Sequence, residues 1–159
     1  MIAFARSHKA IVAILAGAVV AIAYLVRDDP SHPPLPDYSI VSVVSSREAP
    51  AKLELAAGDE GFELVLRPAM RVETKVALYV FAIAEGEPNP VDAKVELTPD
   101  GPIRITGRVR ALAGAREVRV VIGAVSDFKR YEDALTRARD GRSDGSVRVL
   151  VVPVVRTRP

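Results

Sequence analysis

Residues 75–84 read KVALYVFAIA, and this stretch restricts the fold more than any other part of the chain. It is rich in β-branched and aromatic residues, which favours a strand. A strand that is apolar on both faces is expected in the centre of a sheet, where neither face meets water. Tyr79 and Phe81 alternate onto one face with Ala77 and Ile83. We therefore expect the two aromatic side chains in the core rather than on a ligand-stacking surface.

Segments with alternating polarity lie on both sides of this stretch. Residues 62–67 and 91–97 alternate apolar with polar or charged residues, the period of a strand with one buried face. Residues 103–109 and 117–125 have the same character, and Gly107 is interpreted as a bulge. Residues 85–90 are interpreted as a loop. The side chains expected in the core are Leu64, Leu66, Val80, Val95, Ile105, Val120 and Ile122.

Three further strands and one helix complete the expected domain. Residues 38–46 and 52–55 are interpreted as strands, and 146–156 as the last strand, which Pro153 places at an edge or a bulge. An apolar stripe of helical period over 128–138 predicts one short helix docked on the domain. Strands joined by short turns are typical of an antiparallel, immunoglobulin-like β-sandwich, here of about eight strands with the helix before the last.

An uncharged apolar stretch precedes the domain. Residues 10–26 read AIVAILAGAVVAIAYLV, and seventeen helical residues extend about 25 Å, close to the roughly 30 Å hydrocarbon core of a bilayer. We expect a single-pass transmembrane helix. The alternative is a cleaved signal peptide, because Ala21-Ile22-Ala23 matches the small-x-small pattern of a cleavage site. Cleavage would leave an exported soluble form.

The chain is therefore expected to be mainly β, with an N-terminal transmembrane helix followed by the sandwich. The expected segments are a cytoplasmic leader at 1–9, the helix at 10–26, a Pro-rich tether at 27–37 and the domain at 38–159. More Lys and Arg residues precede the helix than follow it, which places the N-terminus in the cytoplasm and the domain in the periplasm or outside the cell. The prolines of the tether favour an extended spacer.

Small residues recur at every fourth position of the apolar stretch. They are Ala13, Gly17 and Ala21. This spacing allows close contact between helices in lipid and predicts a weak homodimer. The alternative is that the spacing follows from the abundance of alanine.

No cofactor, metal site or catalytic residue is expected in the domain. The chain has no Cys, and its two His residues, His8 and His32, precede the domain. The usual zinc and copper ligands and Ser-His catalysis are therefore not expected there. Residues 140–145 depart from the calcium-loop pattern and are interpreted as a turn. Asp59 and Glu60 are an acidic pair, as many exposed turns are.

Charge is unevenly distributed along the domain, with a net −5 over 38–101 and a net +7 over 102–159. Four arginines of the basic half are expected on outward faces of neighbouring strands, and we call them the arginine face: Arg104, Arg108, Arg110 and Arg119. Such a face attracts anionic headgroups or an acidic partner. The alternative is an ordinary solvated face balanced by acids. Nucleic acid is not expected as a partner of a domain outside the cytoplasm.

Three segments carry a resemblance to a known group. Residues 63–69 (ELVLRPA), 76–81 and 95–107 (VELTPDGPIRITG) resemble uncharacterised bacterial single-pass envelope proteins with an extracytoplasmic β-domain. The resemblance implies an anchored β-domain, and the predicted helix places the anchor in the cytoplasmic membrane. Its motifs are strand edges and turns, so it implies no active site.

These observations favour a non-enzymatic binding or assembly module of the envelope with a protein partner. One alternative is an anti-sigma-type sensor, for which the predicted nine-residue leader is short. The second alternative is an envelope hydrolase that uses two carboxylates in a cleft.

Overall fold

The computed structural model describes residues 21–23, 35–41, 52–56, 58–72, 74–97 and 101–157. The predicted leader, Ala13, Gly17 and most of the apolar stretch and tether lie outside these residues. The strands are β1 (Ala21–Ala23), β2 (Tyr38–Val41), β3 (Leu53–Leu55), β4 (Gly61–Pro68), β5 (Val76–Ala84), β6 (Glu87–Pro90), β7 (Ala93–Leu97), β8 (Ile103–Arg108), β9 (Glu117–Ala124) and β10 (Val147–Arg156). The α-helix is α1 (Tyr131–Asp140).

The strands form two sheets, and the predicted mainly β fold is confirmed. The larger sheet has the order β1-β5-β9-β10-β3, and the smaller one has the order β2-β4-β8-β7. Strand β6 also belongs to the larger sheet, where it pairs with the C-terminal half of β5 while β1 pairs with the N-terminal half. The neighbouring strands are antiparallel with one exception. Strand β3 runs parallel to β10, with Leu53 opposite Val154. The prediction of an entirely antiparallel sandwich is therefore wrong at this edge.

The main core lies between the two sheets. All seven predicted core residues belong to it, and Val95 is the one that is only partly buried. Strand β4 shows why the alternation was informative, since Phe62, Leu64 and Leu66 are buried while their neighbours are more exposed. Period-two burial of this kind follows from side chains that point to opposite faces of a strand.

A second apolar layer covers the outer face of the larger sheet. Ala77, Phe81 and Ile83 of β5 pack there against Phe128 and residues of α1. The Tyr79 and Phe128 rings meet edge to face at 5.2 Å between centroids, a favourable geometry for aromatic pairs. Strand β5 is therefore apolar on both faces because it separates two cores. The predicted docking of the helix and of its aromatic stripe is confirmed.

Residues 85–90, predicted as a loop, form a tight turn at 85–86 followed by strand β6 (Glu87–Pro90). Glu85 and Gly86 both have positive φ, 54° and 88°, as expected in a tight two-residue hairpin turn. The Val91 amide donates to the Val80 carbonyl at 2.9 Å, so alternate amides of this segment face β5. By the same alternation, the nitrogens of Pro88 and Pro90 face away. The prolines therefore remove no ladder bond and protect the edge from further pairing.

Gly107 is not a bulge. It lies in regular register opposite Phe62 on one side and Ala93 on the other. A Cβ atom at this position would come within 2.6 Å of the Phe62 ring. The glycine is thus required by the close approach of an aromatic side chain, which the sequence pattern did not indicate.

The N-terminal segments differ from their predictions where they are described. Ala21–Ala23 forms strand β1, antiparallel to Val76–Leu78, instead of the end of a helix. Among the described residues, no helix is long and apolar enough to cross a membrane. Leu35 and Pro36, placed in the tether by the sequence, are buried against the domain. The folded domain therefore includes residues before 38.

Candidate functional site

The chain enters the sandwich at one end, and a groove lies at the other. At the end that we call the tether end, Tyr38 lies opposite Pro68 as the chain enters the domain. At the opposite end, which we call the groove end, Gly61 at the start of β4 lies opposite Arg108 at the end of β8. In the larger sheet, β5 begins at the tether end, because residues 69–75 connect it to the end of β4.

The groove end carries an open groove between two chain segments. Asp59, Glu60 and Gly61 line one side, and Arg108, Val109 and Arg110 line the other, around a volume of about 770 Å³. The Val109 amide donates to the Glu60 carbonyl at 3.0 Å, which joins the two sides at the floor. The groove therefore offers acidic, basic and apolar groups within one opening.

The acidic side of this groove is held by its own backbone. Asp59 Oδ2 accepts a hydrogen bond from the Ala56 amide at 2.6 Å. This interaction closes a turn of the kind that Asp side chains commonly stabilise. Asp59 is therefore a structural residue of the turn, and the turn holds Glu60 at the rim.

Two residues of the arginine face, Arg108 and Arg110, line the groove. Strand β8 ends at Arg108, and a 3-10 helix, Val109–Leu112, follows it. Arg110 therefore does not continue the strand, and the predicted alternation through Gly107 stops at Arg108. Both arginines are exposed. The register of β4 with β8, which a single sequence does not reveal, brings them opposite the acidic turn.

Arg104 lies on the outer face of the smaller sheet, as predicted, and it is close to two acidic side chains there. Its Nε is 3.3 Å from Glu63 Oε1 on β4, and Glu96 lies opposite it on β7. A hydrogen bond and the charge of Lys94 lower the pKa of Glu96, and Arg104 adds to this effect. This part of the arginine face matches the alternative of a solvated surface with balanced charge.

Arg119 lies in the other sheet. The expectation that its strand pairs with β8 is wrong, because β9 pairs with β5 and β10. Arg119 Nη1 donates to the carbonyls of Ala138 and Arg139 at 2.6 and 2.9 Å, and Nε donates to Glu117 at 2.7 Å. These carbonyls belong to the last turn of α1, where a cation is favourable. Arg119 therefore holds the helix on the sheet.

Arg148 forms a clamp at the tether end that the sequence did not indicate. Its Nη2 donates to the Leu35 carbonyl at 2.6 Å. Its Nε lies 3.0 Å from Asp37 Oδ1 without the alignment of a hydrogen bond, so this contact is ionic. The Asp37 carbonyl in turn accepts the Ala69 amide at 2.8 Å. The partners are more than a hundred residues apart in the chain, so no local pattern could reveal them.

Within the described part of the chain, no group of three or more His, Cys, Asp or Glu side chains is arranged to hold a metal ion. Comparison of the chain with protein-family models, curated proteins and solved structures gave no match.

Proposed function

We propose that this chain is a membrane-anchored, extracytoplasmic β-sandwich that binds a protein partner in the bacterial envelope without catalysing a reaction. The observation that carries the proposal is the placement of two features at opposite ends. The chain enters the domain at the tether end, where Arg148 clamps it. The groove lies at the other end. A domain anchored through residues 10–26 would thus present the groove away from the bilayer.

The groove suits a polypeptide segment better than a small molecule. It is open to solvent and is lined by six residues, of which four are charged. Charges of both signs at an open surface favour a segment that also carries both signs, because complementary charges select a partner and orient it. Val109 offers a small apolar contact between the charged rims.

Anchoring requires a change at β1. A helix that spans the bilayer needs about twenty residues, and the stretch 10–26 provides seventeen. Ala21–Ala23 cannot belong to that helix and pair with β5 at the same time. The proposal therefore implies that the membrane-inserted chain releases this pairing.

A photo-crosslinking residue in place of Glu60, in living cells, tests the proposed groove. We expect a specific crosslinked partner whose yield falls when Arg108 and Arg110 are changed to Glu, since the reversal removes charge complementarity. The matched control carries the same crosslinker at Val151, an exposed position of β10 outside the groove.

Three outcomes are informative. A partner captured from Glu60 and lost on charge reversal supports the proposal. Capture of only a second copy of the chain indicates self-assembly instead. Equal capture from Glu60 and Val151, unaffected by the reversal, contradicts a groove-specific partner.

A further inference from the structure

We infer that the tether end of the sandwich rests on an anionic phospholipid surface. This inference rests on the proposed anchoring and assigns a role to residues outside the groove. Six exposed side chains define what we call the tether-end surface: Arg67, Met70, Arg71, Lys75, Leu97 and Val125.

Chain connectivity brings this end close to the bilayer. Leu35 is buried and clamped at the tether end, so only residues 27–34 separate the domain from the predicted membrane helix. Eight residues in a polyproline conformation reach about 25 Å. The tether end therefore stays within about that distance of the end of the helix. The tether-end surface is therefore the part of the domain that meets lipid first.

Arg67, Arg71 and Lys75 are the basic side chains of the tether-end surface. They make no ion pair with any described residue. The sequence over 67–75 contains three basic residues and one acid, Glu73. Unpaired basic side chains near an anionic membrane each contribute about a fivefold gain in association.

Three acidic side chains at this end have partners among the described residues. Asp37 pairs with Arg148, and Asp127 Oδ2 accepts the Ala124 amide at 3.0 Å. Glu96 pairs with Lys94. The basic residues of the tether-end surface differ in this respect from Arg104 of the arginine face, which is paired with Glu63.

Exposed apolar side chains accompany these charges. Met70 is 67% exposed, Leu97 47% and Val125 42%. Met70 comes two residues after Pro68 at the end of β4, and Leu97 ends β7 opposite Ile103, so both lie at the same end. Apolar side chains that reach the headgroup region, combined with basic ones, are the usual composition of a peripheral membrane surface.

The test uses the full chain reconstituted into vesicles, with Met70→Cys carrying an environment-sensitive dye. The natural chain has no cysteine, so the label is unique. One set of vesicles contains phosphatidylcholine alone, and the other contains phosphatidylcholine mixed with phosphatidylglycerol. We expect a blue-shifted emission, and quenching by brominated lipid, in the anionic vesicles at low salt, and a loss of both at high salt.

The decisive variant changes Arg67, Arg71 and Lys75 to Gln, which should reduce docking in anionic vesicles roughly a hundredfold. The matched control changes Lys52, Arg116 and Arg139 to Gln. It removes the same charge from residues that lie toward the groove end, and should leave docking unchanged.

The outcomes separate this inference from the proposed anchoring. A chain that stays with vesicles through an alkaline wash but shows the same emission in both lipids, and in both triple variants, overturns the inference and leaves the anchor. A chain that the wash removes overturns the anchor and, with it, the inference. Loss of docking in the Arg67, Arg71 and Lys75 variant, with unchanged docking in the control, supports the inference.

Discussion

Tyr38 shows how one buried group makes stability depend on pH. Its side chain is 8% exposed, and its hydroxyl has no hydrogen-bond partner among the described residues. Burial raises the pKa of Tyr38 to about 12, and the charge of Arg148 offsets part of this rise. The folded pKa lies above the ordinary value of 10.0. The resulting contribution to stability is therefore fully present below pH 10 and is lost as the pH rises through 12.

We predict that Tyr38→Phe removes this pH dependence. Between about pH 10 and 12 the natural chain should lose roughly 1 to 2 kcal/mol of unfolding free energy that the variant retains, allowing for partial solvent screening. At neutral pH the variant should be at least as stable, because the lost hydroxyl is unpaired. Urea unfolding from neutral pH to about pH 12 measures both effects. Parallel pH profiles for the two proteins would contradict the prediction.

At the scale of elements, α1 depends on contacts from the sheet beneath it. Its buried face consists of Ala134 and Ala138, which are small and allow close approach to β5 and β9. Arg119 adds hydrogen bonds to the last turn. Gly141 ends the helix with φ of 65°, and its Cα lies against the Arg119 guanidinium, where a Cβ would be 2.9 Å from Nη1. The helix end and the arginine therefore form one unit.

We predict that Arg119→Gln lowers the free energy of unfolding by about 2 to 3 kcal/mol, because charge-assisted hydrogen bonds to partly buried carbonyls are lost. Urea unfolding measures the loss, and faster amide hydrogen exchange in α1 localises it. The matched control is Arg116→Gln, an exposed arginine without an ion pair among the described residues, which should change stability by less than about 0.5 kcal/mol. Equal losses in the two variants would show that Arg119 has no special role.

The pairing of β1 with β5 can be tested with a disulfide. Ile22 lies opposite Ala77 in an antiparallel pair, a spacing that accepts a disulfide. We predict that Ile22→Cys with Ala77→Cys crosslinks in the chain purified without lipid and crosslinks little after membrane insertion, because a helical Ala21–Ala23 cannot reach β5. Gel mobility under oxidising and reducing conditions reports the yield.

The control for this pair combines Ile22→Cys with Val151→Cys on β10. Strand β10 is three positions from β1 in the sheet order, about 14 Å away at the usual strand spacing. It should not crosslink in either state. Equal yields of the Ile22–Ala77 disulfide in and out of lipid would mean that these residues remain a strand in the membrane-bound chain.

At the scale of the whole molecule, the two ends of the sandwich should lie at different heights above a membrane. Strand β4 connects them with eight residues, about 26 Å of extended chain. The clamp by Arg148 fixes the end at which the tether leaves the domain. The orientation of the domain relative to the membrane therefore depends on both the clamp at one end and the length of the sandwich.

We predict that a dye on Glu60→Cys is weakly quenched by a quencher attached to lipid headgroups, whereas a dye on Met70→Cys is strongly quenched. Changing Arg148 to Ala should reduce the difference, because the tether then leaves the domain without a fixed direction. Fluorescence of the reconstituted full chain measures both positions. Similar quenching at Glu60 and Met70 in the unaltered chain would contradict a fixed orientation.

The sequence by itself determined most of the strands of the domain and the faces that they bury. Alternation in 62–67 and in 91–97, and the unbroken apolar run at 76–84, follow directly from the geometry of strands at the surface and in the interior. The helix before the last strand was visible for the same reason, since its apolar residues recur with helical period. These signals are local, because each depends on residues close together in the chain.

Only the tertiary structure decided how those strands are arranged and where charges meet. The parallel pairing of β3 with β10, the pairing of β6 despite two prolines, and the separation of Arg119 from Arg104 all depend on register and strand order. Pairing energy is similar for many registers until a core and its turns select one. The groove and the Arg148 clamp join residues distant in the chain, so their chemistry appears only once the sheets are assembled.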